Sequence, residues 1–213
     1  MNVTVPLKEE AYRAADHTLP AAAATGAANT IVVDHAQQVS ADNTDGRGLV
    51  RDLIGNHGIE LAGNRLLLLG AGGAARGVIP NLLEEAPAEL VVVNRTAVRA
   101  HELSDRFAQL GNIRAGGYDD IGDGAFDVVI NATSLSLGGE IPPLPLAAIG
   151  QSSACYDMMY TADGRTAFLD WCDERGAAVT LDGLGMLVEQ AASAFALWHG
   201  VEPDTGPVIT AMR

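Results

Sequence analysis

From Arg65 onward short, unbroken apolar runs alternate with helical stretches, and no other feature of these 213 residues restricts the fold as much. RLLLLG leads into a helix to about Glu85, and ELVVVN into a helix from Thr96 to about Leu110. FDVVINAT, SACYDMMY, the amphipathic TAFLDWCDERG and the short run AAVTL follow. A strand that is apolar at every position has to be covered on both faces, and helices between such strands supply the cover. The pattern predicts a doubly wound parallel α/β sheet, complete within residues 65 to 181.

The first of these strands ends in LLLLGAGGAARG, which sets Gly70, Gly72 and Ala75 in a GxGxxA spacing where a strand gives way to a helix. The first glycine permits a tight turn, the second lets a pyrophosphate reach the backbone, and the small third residue allows helix and strand to pack closely. A helix N-terminus adds unpaired N–H groups for phosphate oxygens. Glycine-rich turns also arise for purely steric reasons, so it is the strand and helix context that marks Gly70, Ala71, Gly72, Gly73, Ala74 and Ala75 as a dinucleotide cradle.

At the end of the next strand an NAD-binding chain usually carries an acid for the ribose hydroxyls. This chain carries Asn94, Arg95 and Thr96 there, with Arg99 one helical turn after Arg95. Two guanidinium groups and a hydroxyl so placed can share a 2′-phosphate, which favours NADP over NAD. An isolated arginine pair on a helix would be an ordinary solvated face; the position after the second strand is what argues otherwise.

The net charge of −14 disfavours nucleic acid and anionic membrane surfaces as partners, so an anionic ligand has to be held by local basic and N–H groups. No apolar run reaches the ~18 to 20 residues of a membrane span, and MNVTVPLKEE lacks the features of a secretory signal. Cys155 and Cys172 are outside any CxxC and read as reduced, structural residues of a cytoplasmic protein. His17, His35, His57, His101 and His199 have no metal-ligand spacing, and GxSxG is absent. No metal is expected.

The first 45 residues read differently: a strand NVTV, a helix from about Leu7 to Asp16, a turn at Leu19-Pro20, an alanine-rich helical turn and a strand NTIVV. Asp42 to Gly46 forms a polar turn before a helix GLVRDLIG, and PPLPL at Pro142 to Leu146 is a rigid connection. Two helical stretches divided by Gly200 and Pro203 close the chain, and they are expected to return to the N-terminal segment. The expected domains are therefore 1–45 with 183–213 as a second, smaller domain, and 46–182 around the nucleotide.

Taken alone, Lys8 is an ordinary surface lysine and Asp45 an ordinary acid at a helix start. Together with NVTVPLK, AANT, DNTDG, GAGGAARG, NRT, NATS, YDMMY and DGLGMLVEQA, in that order over essentially the whole chain, they resemble the shikimate dehydrogenases. The resemblance implies a Rossmann-type NADP domain beside an incomplete α/β substrate domain, with NADPH reducing 3-dehydroshikimate to shikimate in aromatic amino-acid biosynthesis. Lys8 and Asp45 resemble the family's catalytic pair. Asn2, Thr4, Asn29, Tyr160 and Gln190 resemble its substrate-binding residues, and Met158, Gly183 and Met186 those near the nicotinamide.

Relatives in that family carry a βαβ-containing segment of roughly 60 residues before the NVTVP strand, with a serine pair for the substrate carboxylate. The expectation is a chain truncated within its substrate domain, as a short natural form or through annotation or cloning, in which a homo-oligomer could cover the opened edge. Two readings follow: a dehydrogenase impaired by the loss, or a catalytically weak NADP-binding protein.

Overall fold

The computed structural model describes residues 1–4 and 6–213. Its first elements are helix α1 (Lys8–Ala14), β1 (His17–Thr18), α2 (Pro20–Thr25), β2 (Thr30–Val33) and β3 (Val39–Asp42). Pro20, with its φ already set, starts α2, and Gly26 ends it in the left-handed region at φ 65°. β2 and β3 pair antiparallel with Thr30 opposite Asp42, and the Asp34 carboxylate accepts from the N–H groups of Ala36 and Gln38 to close the turn between them. β1 joins in parallel, giving the order β1-β3-β2.

The expected strand NVTV is here an isolated bridge, Asn2 opposite Thr30, and its last residue, Val5, lies outside the described residues. Helix α1 is also shorter than the expected Leu7 to Asp16, because Asp16 turns out to accept the backbone N–H of Val39. β1 and β3 have no apolar run to announce them. Neighbours across the sheet make them strands.

Helix α3 (Asp45–Val50) starts inside the stretch read as a polar turn and passes into a π-helical turn, Arg51–Asn56. Then come β4 (Arg65–Leu69), α4 (Gly73–Glu84), β5 (Glu89–Val93), α5 (Ala97–Phe107), β6 (Ile113–Gly116) and β7 (Val128–Asn131). They are followed by β8 (Ala154–Asp157), α6 (Ala167–Asp173), β9 (Val179–Asp182), α7 (Leu184–His199) and α8 (Gly206–Met212). The six strands β4 to β9 form one parallel sheet in the order β6-β5-β4-β7-β8-β9, which reverses direction between β4 and β7. Ligands of open α/β sheets sit in the crevice at such a reversal, beyond the carboxyl ends of the strands.

Side-chain alternation explains the unbroken apolar strands. Leu66, Leu68, Leu90 and Val92 face a core closed by α4 and α5, while Leu67, Leu69, Val91 and Val93 face a second core with Phe168, Cys155 and Cys172. Both cysteines are free and buried.

Helix α7 lies along α3, and the indole N–H of Trp198 donates to the carbonyl of Ile31 in β2 at 3.0 Å. The helices meet backbone to backbone at Gly48, where a Cβ would stand 2.7 Å from Gln190 Cβ and 2.9 Å from the Met186 carbonyl. That close approach brings Asp45, at the start of α3, beside Gln190. Among the described residues no helix is long and apolar enough to cross a membrane.

The π-helical turn carries a buried acid, Asp52, that accepts from Tyr156 Oη at 2.6 Å and Asn56 Nδ2 at 2.9 Å, with His57 Nε2 at 3.5 Å. Burial raises its pKa, but the hydrogen bonds from His57, Tyr156 and Asn56 outweigh this and hold the carboxyl below the usual range. Because the folded pKa is depressed, the stabilisation is present above the unfolded pKa and lost as pH falls through the folded one. Asp52→Asn should therefore cost about 1.5–3 kcal/mol near neutral pH and flatten the loss of stability below about pH 4. Urea midpoints measured from pH 3 to 7 check this, and parallel pH curves for both proteins would refute it.

Candidate active site

A cavity of about 360 Å³ opens where the carboxyl ends of β8 and β9 meet the starts of α3 and α7. Its lining comprises Asn2, Val3, Thr4, Lys8, Asn29, Asp45, Met158, Tyr160, Gly183, Met186, Leu187 and Gln190. Volumes of this order suit a small ligand. Lys8 Nζ donates to Asp45 Oδ2 at 2.6 Å, and both side chains are largely buried, so the ion pair stands in a partly desolvated wall. Lys8 is the only lysine in the sequence.

Asn29 organises this wall. Its Nδ2 lies 2.8 Å from Asp45 Oδ1, 2.9 Å from Thr44 Oγ1 and 3.2 Å from Gln190 Oε1, and its two protons can serve two of these acceptors at a time. Asn29 Oδ1 in turn accepts from Thr30 Oγ1 at 2.9 Å and from the Thr44 N–H at 2.9 Å. With its acceptor side filled, the amide orientation is set and Nδ2 faces the carboxylate. Asn43 Oδ1 adds a bond from the Asp45 N–H at 3.1 Å. Asp45 is thus held from three directions, and Lys8 is aimed by it.

The other lining groups are looser. Thr4 is exposed, Tyr160 is 47% exposed, and Asn2 Nδ2 makes only a 3.4 Å contact to the Asn29 carbonyl. Met158 and Met186 are nearly buried and form an apolar side of the cavity with Gly183, which precedes α7. Among the described residues no arginine lines it.

The glycine-rich turn stands apart, over the sheet reversal. Gly70 has φ +104°, and a Cβ there would meet Thr133 Cγ2 at 3.1 Å, so both conformation and space require glycine. Its N–H bonds the Val93 carbonyl at 2.7 Å, while the Ala132 N–H bonds that of Leu69 at 2.9 Å, drawing the ends of β5 and β7 to the turn. Among the described residues a Cβ at Gly72 or Gly73 would meet nothing within 4 Å, and no side chain caps α4. This is an open cradle of N–H groups, as a pyrophosphate requires.

Asn94, Arg95, Thr96 and Arg99 cluster beyond β5, outside the cavity. Thr96 precedes α5 instead of opening it, and its side chain makes no capping bond. Asn94 Nδ2 donates to the Thr96 carbonyl at 3.0 Å. Arg95 and Arg99 are exposed, and among the described residues neither has a carboxylate partner. The positions read from the sequence thus fall into two groups, one around Lys8 and one along the carboxyl edge of the sheet. Reading residues singly missed Thr44 and Asn43, although both stand in DNTDG beside Asp45. Their hydroxyl and amide give no signal until Asn29 is seen to face them.

Comparison with known proteins places these groups in a family. Residues 52–137 match the model described as "Shikimate / quinate 5-dehydrogenase", and residues 183–213 that described as "Shikimate 5'-dehydrogenase C-terminal domain". The chain is 52% identical to a shikimate dehydrogenase (NADP(+)) of Alkalilimnicola ehrlichii over its full length, which corresponds to 78% of that relative. Among solved structures, an Ael1 enzyme from Pseudomonas putida superposes with TM-score 0.91 at 42% identity, covering 100% of this chain and 77% of that one. The shikimate 5-dehydrogenase of Thermus thermophilus, solved with NADP(H) and shikimate, superposes with TM-score 0.83 at 33% identity and the same coverage.

Proposed function

The chain belongs to the shikimate dehydrogenase family, and from that premise we propose that it reduces 3-dehydroshikimate to shikimate with NADPH. The observation that carries the reading is the Lys8–Asp45 pair, fixed by Asn29 within a cavity of neutral polar groups. Bound NADPH supplies the hydride, from a cradle whose open glycines and uncapped helix start suit it.

As a ketone is reduced, negative charge grows on its oxygen and a proton has to follow. The Lys8 ammonium can stabilise that charge and donate the proton, and in the oxidative direction accept it; Asp45 holds it in place. Asn2, Thr4, Asn29, Tyr160 and Gln190 are read as partners of the ring hydroxyls and carboxylate, which neutral donors and acceptors can hold. Met158, Gly183 and Met186 are read as the wall against the nicotinamide, keeping water from the transferred hydride. Domains at 1–45 with 183–213, and at 46–182, belong to the same reading, supported by the bond from Trp198 of α7 to Ile31 of β2, although α7 also packs on α3, which that boundary leaves with the nucleotide. A cytoplasmic location and a homo-oligomer across the outer edge of β1 complete it.

Initial rates with shikimate or quinate and NADP+ or NAD+ test this. Shikimate with NADP+ should give the highest kcat/KM. A protein that binds NADP+ yet oxidises neither acid would favour a cofactor-binding protein without the activity.

A further inference from the structure

Resting on that reading, we propose that Arg76 and Glu9 form a positioning pair that holds helix α1, and Lys8 with it, against the nucleotide-binding helix α4. Glu9 directly follows Lys8, and its carboxylate accepts from the guanidinium of Arg76, the fourth residue of α4. Helix α1 has no fully buried residue, and it packs on the small sheet only through the partly buried Ala11 and Tyr12. One restraint comes from the segment before β2, where the Ala28 N–H donates to the Lys8 carbonyl at 2.8 Å. The Glu9–Arg76 bond is the restraint from the other side of the cleft.

Consecutive residues of α4 therefore address both halves of the dyad. Arg76 holds the neighbour of Lys8, and Gly77 lies against Asp45, where a Cβ would make ordinary contact with Asp45 Oδ2 at 3.4 Å. An arginine near a helix N-terminus opposes the helix dipole, and α4 has no acid in its first turn to offset it. Glu9 supplies that charge from across the cleft, and its hydrogen bond from Arg76 holds the Glu9 carboxyl below its ordinary range. Among the described residues Arg76 Nε is buried without a partner, which leaves Glu9 as the side chain that anchors this guanidinium. Such a half-exposed pair adds little to stability. Its effect is on geometry, where a displacement of about 1 Å can cost about a hundredfold in rate.

Because the sequence holds a single lysine, acylation by an N-hydroxysuccinimide ester reports on Lys8 alone once tandem mass spectrometry separates it from the α-amino group of Met1. Arg76→Met and Glu9→Gln should each acylate Lys8 at least about threefold faster and lower kcat for shikimate about tenfold, with KM for NADP+ within about twofold. Arg76→Lys should recover most of both. Unchanged acylation in Arg76→Met overturns the proposal, and so does faster acylation at an unchanged kcat. Should the parent protein oxidise no shikimate, the activity reading fails, while the acylation rates still decide whether Arg76 and Glu9 restrain Lys8.

Discussion

Lys8→Ala is expected to lower kcat for shikimate by about 10²- to 10⁴-fold, the range for a positioned general acid or base, while leaving the Kd for NADP+ within about twofold. The ammonium matters most when the substrate oxygen carries developing charge, so its loss falls on the transition state more than on the bound substrate. Lys8 also lines the cavity with Asn29 and Gln190, and neither Gly70 nor Arg95 is part of that lining. Removing it leaves the Asp45 carboxylate without its cation, and repulsion of the substrate carboxylate should raise KM for shikimate as well. Steady-state rates and calorimetry with NADP+ separate the two effects. A variant that keeps its kcat would remove Lys8 from the chemistry; one that loses NADP+ binding would show that the substitution disturbs the nucleotide half.

How much of this was legible in the sequence follows from where each signal resides. Strands buried on both faces announce themselves, since every position has to be apolar, and β4, β5, β7 and β8 were read within a few residues. β6 was not read: Ile113–Gly116 is an edge strand with an arginine and a glycine among four residues, and only β5 beside it makes IRAG a strand. β3 was missed for the same reason, and the missing strand hid that Asp42 ends a strand and is not part of a free turn; Asp45 was read correctly at a helix start. In the nucleotide site, spacing after a strand carries chemical meaning, so Gly70 and Gly72 could be read locally. Lys8, Asp45, Asn29 and Gln190 come from four distant segments, and nothing local links them. Family resemblance named them, and the crossing of α3 and α7 at Gly48 shows how they meet.

The arginines after β5 should decide the choice of cofactor. Removing both in Arg95→Ala/Arg99→Ala is expected to weaken NADP+ by about 3–6 kcal/mol, from ~1.5–3 kcal/mol for each charge-assisted bond, which is about 10²- to 10⁴-fold in Kd. NAD+ lacks the 2′-phosphate and should bind nearly as before. Both guanidinium groups are exposed, so screening places the effect toward the lower end at physiological salt and makes it grow as salt is removed. Arg95 also acts on Tyr118: burial raises the pKa of that phenol, and the nearby Arg95 charge partly opposes the rise. Arg95→Ala should therefore move the Tyr118 titration further upward by ultraviolet absorbance, showing without any cofactor that the charge has gone. Asn94 sharpens the comparison, because an acid at the end of the second strand is what a ribose diol would call for, and this chain offers a neutral amide tied to the Thr96 carbonyl. Titrations of each variant with NADP+ and NAD+ at two salt concentrations make the test. Equal losses for both cofactors would mean that the arginines support the fold of the site and not the 2′-phosphate.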